Sequence, residues 1–257
     1  MEVIDGQWFM NGIDWDDERC LHSSGELLEL VEKTGFLPLF SNRIEGFSVE
    51  EVTDPQCWWT GDEDTDPWEW RVTLARAGKV AYGKFFGNKA GFVSKKWFPY
   101  LANLRRDGYD FDAAYEDGKA GYREKLLMDL FVPQGADMWD ITKSSLKRSG
   151  CADRLFTYEM KEKAGFGKNG EKNFDGVLSR LQMKTYLIPC DFRPRLNKNG
   201  ESFGWSVAVM TPPEYLWGYR FVTGRYGEPP EDSLQKIVSH IEKHFAADAK
   251  TIRKLLK

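Results

Sequence analysis

Asn173-Phe174-Asp175-Gly176-Val177-Leu178-Ser179-Arg180-Leu181-Gln182-Met183-Lys184-Thr185-Tyr186 runs into Leu187-Ile188-Pro189-Cys190-Asp191-Phe192, and past a polar connection comes Trp205-Ser206-Val207-Ala208-Val209-Met210. Phe174, Val177, Leu178 and Leu181 recur at helical spacing, so the first part reads as an amphipathic helix from Asn173 to about Tyr186. The two runs that follow, Tyr186 to Phe192 and Trp205 to Met210, have strand composition, and Asn199-Gly200 between them is a hairpin turn signal. Reading upstream, Ile141 to Ser149 closes at Gly150 and Asp153 to Lys163 closes at Gly165, giving two further helices. Three helices followed by a two-stranded ribbon are the order of a winged helix-turn-helix.

A fainter version of that order precedes it. Ser23 and Glu26 have capping-box spacing ahead of Leu27, Leu28, Leu30 and Val31, with Gly35 and Pro38 as the stop. Asp66-Pro67 supplies an N-cap and first residue for a helix through about Ala77, and Val80 to Phe86 and Ala90 to Val93 flank Gly87-Asn88 as a short hairpin. Ser94 is a candidate cap for a helix ending near Gly108, its early part distorted by Pro99, and another helix spans about Tyr122 to Phe131. Near the end, Thr211 and Glu214 repeat the capping-box spacing, Glu231 to Phe245 is amphipathic, and Ile252, Leu255 and Leu256 mark a last helical stretch. Residues 1–22 show no clean period. The expected class is mainly α with small β-hairpins, an α+β chain of tandem winged helix-turn-helix-like units. Tyr109 to Ala120 is acidic and lacks an apolar period, which sets the expected boundary: an acidic, Trp-rich lobe over 1–120 and a winged-helix lobe over 121–257.

The chain has 257 residues, 41% hydrophobic and 30% charged, the composition of an ordinary globular protein of one or two domains. Its net charge of −4 averages two unlike regions. Residues 1–70 carry 3 basic against 18 acidic side chains, whereas residues 141–200 carry 13 against 6. No window of about 18 apolar residues exists, and Met1-Glu2-Val3-Ile4-Asp5 lacks a basic leader, so neither a membrane span nor secretion is expected. Cys20, Cys57, Cys151 and Cys190 are scattered without a CxxC pair, which fits a cytoplasmic chain without disulfides or zinc. His240 and His244 have i, i+4 spacing but no third ligand, and neither a P-loop nor a dinucleotide fingerprint is present; no metal or cofactor is expected.

Two groups of residues could carry function. Lys168, Lys172, Arg180, Lys184, Arg193, Arg195 and Lys198 fall on the third helix, its lead-in and its ribbon, where a winged helix meets phosphate. Gly165-Phe166-Gly167-Lys168-Asn169-Gly170 adds backbone N–H groups just ahead of a helix start. The competing reading is an ordinary solvated face. Trp58, Trp59, Trp68 and Trp70, set among Asp66 and other acids, would suit a flipped cationic base; alternatively the tryptophans are core and Asp66 is a helix cap.

Val177 to Leu187, with Thr34-Gly35-Phe36-Leu37-Pro38-Leu39-Phe40, Trp58-Trp59-Thr60-Gly61, Asp66-Pro67-Trp68-Glu69-Trp70-Arg71, Ala81-Tyr82-Gly83-Lys84 and Gly165-Phe166-Gly167-Lys168, resembles the winged-helix DNA glycosylases of the AlkZ/YcaQ type, and more closely the shorter AlkZ-related proteins. The resemblance implies hydrolysis of the N-glycosidic bond of an alkylated base in duplex DNA. In those enzymes the catalytic element is Gln, an apolar residue, then Gln or Asp. Here it corresponds to Gln182-Met183-Lys184, whose third position departs. A protonated Lys cannot serve as the base that a carboxylate would be. Lys184 could instead contact phosphate, or act as an amine nucleophile if desolvated. The alternative function is a non-catalytic winged-helix DNA-binding regulator; a third is a small-molecule binder with an aromatic pocket.

Overall fold

The computed structural model describes residues 2–4, 7–133 and 135–256. In chain order the elements are β1 (Glu2–Ile4), β2 (Gln7–Phe9), α1 (Ser24–Thr34), β3 (Phe36–Pro38), α2 (Pro67–Ala77), β4 (Val80–Phe86), β5 (Lys89–Ser94), α3 (Phe98–Arg106), α4 (Phe111–Glu116), α5 (Tyr122–Met128), α6 (Lys143–Ser149), β6 (Leu155–Phe156), α7 (Thr157–Lys163), α8 (Phe174–Met183), β7 (Ile188–Leu196), β8 (Ser202–Thr211), α9 (Pro213–Trp217), α10 (Tyr219–Val222), α11 (Pro230–Glu242) and α12 (Ala249–Leu255). The chain is a mixed helix and strand protein with small antiparallel sheets.

Two compact units result, Met1–Tyr100 with Glu231–Lys257, and Leu101–Pro230. The division falls at residue 100 rather than near 120. Tyr109 to Ala120, the expected boundary segment, contains α4, and Phe111, Ala114 and Ala120 lie in the core of the second unit. Six helical residues are too few to show a period, and the acids between them face outward. The terminal helices belong with the first unit, where Ile237, Val238, Ile241 and Ile252 are fully buried.

In the first unit, α1 begins where its cap predicts: the Ser23 hydroxyl accepts from the Glu26 N–H at 3.3 Å, and Gly35 ends the helix. The Glu26 carboxylate, however, accepts from the His22 N–H at 2.6 Å and not from that of Ser23. Asp66 caps α2 through the Trp68 N–H at 2.8 Å. The helix stops at Gly35, as Gly35 and Pro38 predict, and Pro38 is then the last residue of a short strand, β3, which pairs with β5 to give the strand order β3-β5-β4. That pairing needs Gly91, because a Cβ there would lie 2.7 Å from the Pro38 Cα and 2.5 Å from the Phe86 ring. Pro99 stands in the first turn of α3, where proline fits, so it opens the helix instead of distorting it.

The second unit repeats the arrangement. A helix, α6, leads into the two-residue strand β6, then α7 and α8, then the β7–β8 ribbon, and the strand order β6-β8-β7 mirrors that of the first unit. Leu155 and Phe156 were expected inside a helix; they pair with Met210 and Val209 instead. Both ribbon strands are longer than their apolar runs, reaching Leu196 and starting at Ser202. Thr211 does not cap α9: its hydroxyl donates to the Asp153 carbonyl at 2.7 Å.

Candidate nucleic-acid interface

The cations of the second unit fall into three settings. In the loop before α8, the Lys172 ammonium donates inward to the carbonyls of Gly167 and Lys168, at 2.6 and 2.5 Å. The N–H groups of Gly167, Gly170 and Glu171 are likewise consumed, bonding to Glu171, Gly167 and Gly165. The loop is thus largely bonded to itself, and both of its cations, Lys168 and Lys172, are exposed.

Arg180 and Lys184 converge on one carboxylate. Glu124, whose side chain is buried, accepts from Arg180 Nε at 3.2 Å, from Lys184 Nζ at 3.1 Å and from the Gly121 N–H at 2.8 Å. Lys184 also donates to the Lys119 carbonyl at 3.0 Å. α8 therefore packs on α5, and Val177, Leu178, Ser179, Leu181 and Gln182 are all buried. Gln182 is 7% exposed.

The turn after Gln182 is held from beneath. Thr185, a β-branched residue, has φ +64°, a left-handed conformation that costs about 1–3 kcal/mol. Its N–H donates to the Gln182 carbonyl at 2.8 Å. The Arg106 guanidinium donates to the Thr185 hydroxyl at 3.0 Å and to its carbonyl at 2.6 Å, pairs with Glu214, and lies over the Tyr186 ring. Burial works against the charge of Arg106, but Glu214, Tyr226 and Tyr186 outweigh it and raise its pKa. Sequence reading missed Arg106 because its partners lie 79 to 120 positions away.

Arg193, Arg195 and Lys198 form the third setting. Arg193 Nε donates to the buried Asp191 at 2.7 Å while most of its side chain stays in solvent. Arg195 passes 5.5 Å from the Tyr158 ring. From Arg193 to Arg195 and from Ser202 to Trp205 every residue is exposed, so this end of the ribbon has solvent on both faces.

The aromatic candidates belong to the first unit, mostly as framework. Trp70 is fully buried, its Nε1 donating to the Asp64 carbonyl, and Trp58 is buried with its Nε1 on the Thr53 hydroxyl. Asp66 is fully buried; besides capping α2 it accepts from the Gly61 N–H at 3.0 Å. Trp68 carries the Arg71 guanidinium 3.9 Å from its ring, and Trp59 is exposed. His240 stacks on Trp97 at 4.3 Å. Among the described residues no group of three or more His, Cys, Asp or Glu is placed to hold a metal ion, and no helix is long and apolar enough to cross a membrane.

Fold and site together describe a two-unit α/β protein with a cationic ribbon in solvent. The chain belongs to the AlkZ-related family, whose model matches residues 21–257. Membership suggests a DNA-binding or DNA-repair-like role. No curated protein and no solved structure matches the chain.

Proposed function

We propose that this AlkZ-related chain is a DNA-binding protein whose two repeats are winged-helix-like and whose second repeat grips the phosphate backbone with its β7–β8 ribbon. The observation that carries the reading is the ribbon tip, exposed on both faces and bearing Arg193, Arg195 and Lys198. In this reading the third helix of the repeat is not the reading element, since α8 is packed against α5 and its Arg180 is paired with Glu124. Contact with phosphate releases counterions, which ties affinity to salt with a slope of about −0.9 per phosphate neutralised. Arg193→Ala and Arg195→Ala should each weaken binding to every duplex alike and flatten the salt slope by about one. Unchanged affinity and slope in the double variant would refute the ribbon as the interface.

Hydrolysis of the N-glycosidic bond of an alkylated base is the second reading. The strained turn at Thr185, directly after Gln182-Met183-Lys184, favours it, because strain of this kind concentrates at active sites. Against it stand the burial of Gln182, which would have to orient the attacking water, and the ion pair that occupies the Lys184 ammonium. The binding reading therefore leads. Duplexes bearing N7- or N3-alkylpurines, incubated with the protein and then treated with alkali, separate the two. Strand breaks that vanish in Gln182→Ala would establish hydrolysis, and intact strands with full DNA affinity would establish binding alone.

A further inference from the structure

Trp205 is 74% exposed, more than any other large hydrophobic residue described, and Phe203 is 49% exposed on the same strand. Their surroundings are not those of a stray surface residue. Ladder pairing runs Arg193 to Val207 and then Arg195 to Phe203, so Pro194 alone on β7 faces three residues, Gly204, Trp205 and Ser206, on β8. Proline has no N–H to give to the ladder, and Gly204 adopts φ +69°, the left-handed conformation a bulge of this kind uses. The bulge takes Trp205 out of register between ladder pairs. Phe203 lies directly across from Arg195, whose guanidinium also approaches the exposed Tyr158 ring. Tyr158 itself stacks on Phe156 at 5.0 Å and 21°. Cations and exposed rings thus stand together at this end of the ribbon, with Tyr158 of α7 beside it, the combination that binds single-stranded nucleic acid by pairing charge with phosphate and rings with bases.

We propose that Trp205, assisted by Phe203, is a base-stacking group, so that the ribbon binds single-stranded or locally unpaired DNA in preference to intact duplex. This rests on the DNA-binding reading above and adds the class of DNA to it. In an intact duplex every base face is occupied by its neighbour, and inserting a ring costs about a few kcal/mol of unstacking per step. An unpaired base offers its face without that cost. Phosphates on either side of it meet Arg193, Arg195 and Lys198.

Equilibrium binding to a single-stranded oligonucleotide, a gapped duplex and an intact duplex of the same length tests this. The parent protein should bind the first two more tightly at equal salt. Trp205→Ala should lose on the order of tenfold in affinity for those two, with an unchanged salt slope and little effect on the intact duplex, while Trp205→Phe retains most of the affinity. Because Trp205 is exposed, its variants should melt with the parent, and circular dichroism checks that. Equal affinity of Trp205→Ala and the parent for all three DNAs, with Arg195→Ala still weakened, would overturn the stacking role and leave the ribbon as a DNA-binding element. No DNA binding by the parent would overturn both. Trp205→Ala losing affinity for phosphatidylserine vesicles with DNA binding intact would make the tip a lipid contact and overturn the proposal.

Discussion

Arg106→Met isolates the contribution of the buried ion pair beneath the Gln182 turn. The Arg106 and Glu214 side chains are 1% and 4% exposed and lie 2.5 Å apart. The substitution keeps most of the volume but strands the Glu214 carboxylate and takes the Arg106 donor from the Thr185 carbonyl, while the Tyr226 hydroxyl, which Arg106 reaches at 3.1 Å, keeps the Tyr109 carbonyl as its acceptor. Breaking one partner out of a buried pair costs about 3–5 kcal/mol, because the remaining charge stays desolvated. Against a typical total of about 5–15 kcal/mol, that is a large share of the stability. Urea unfolding followed by circular dichroism should show the loss. Arg106→Met/Glu214→Gln, which removes the stranded charge, should recover at least about 1–2 kcal/mol of it. Hydrogen exchange at the Thr185 amide should accelerate in the single variant, since two of the bonds that hold its left-handed backbone are gone. A single variant within about 1 kcal/mol of the parent, or a double variant no better than the single, would refute the argument that charge burial dominates here.

Gly91→Ala should destabilise by about 1–3 kcal/mol in thermal melts, since the added methyl meets both the Phe86 ring and the Pro38 backbone; a neutral result would mean β3 can move aside. Asp66→Ala should cost about 0.5–2 kcal/mol through the lost cap and leave DNA affinity unchanged, whereas weakened binding at constant stability would assign Asp66 to a base pocket. Asp110 has its pKa raised chiefly by burial, although the Tyr219 hydroxyl donates to it at 2.8 Å. A carboxyl raised in the folded state contributes stability below its unfolded pKa of about 3.9, and that contribution is lost as pH rises through the folded value. Asp110→Asn should therefore melt above the parent at pH 7, with the gap closing toward pH 4; a gap independent of pH would contradict the desolvation of Asp110.

What could be read in the sequence was what local chemistry decides. Ser23 and Asp66 place the starts of α1 and α2 because a cap acts within three residues, and Gly87-Asn88 places a turn for the same reason. β3 and β6 escaped because strands of three and two residues have no period, and only the partner strand, 53 or more positions on, makes them strands. The candidate site divides the same way. Arg193, Arg195 and Lys198 were identifiable as cations on a ribbon. That Arg180 and Lys184 are tied to Glu124, 56 and 60 positions earlier, was not. Trp205 reads as the first residue of a strand because aromatic residues are enriched in strands, and nothing in its neighbours reveals a bulge set by pairing across the hairpin.

The two repeats show why one ribbon is core and the other reaches into solvent. β4 and β5 have seven and six residues, and β3 pairs with β5 at Phe36, Leu37 and Pro38, so nearly the whole ribbon is covered and carries Tyr82, Phe85, Phe86 and Phe92 inward. β7 and β8 have nine and ten residues, but β6 reaches only Val209 and Met210. Beyond that cover the burial pattern of β8 passes from buried through intermediate to exposed as it runs back to Ser202. An uncovered strand pair invites pairing with other chains unless charge, proline or a bulge prevents it. The tip carries all three: Arg193 and Arg195, Pro194, and the bulge at Gly204. The devices that keep the uncovered ribbon from adding further strands also leave it cationic and present Trp205 to solvent, so protection of the edge and the features on which the proposed contact with phosphate and base rests come from the same residues.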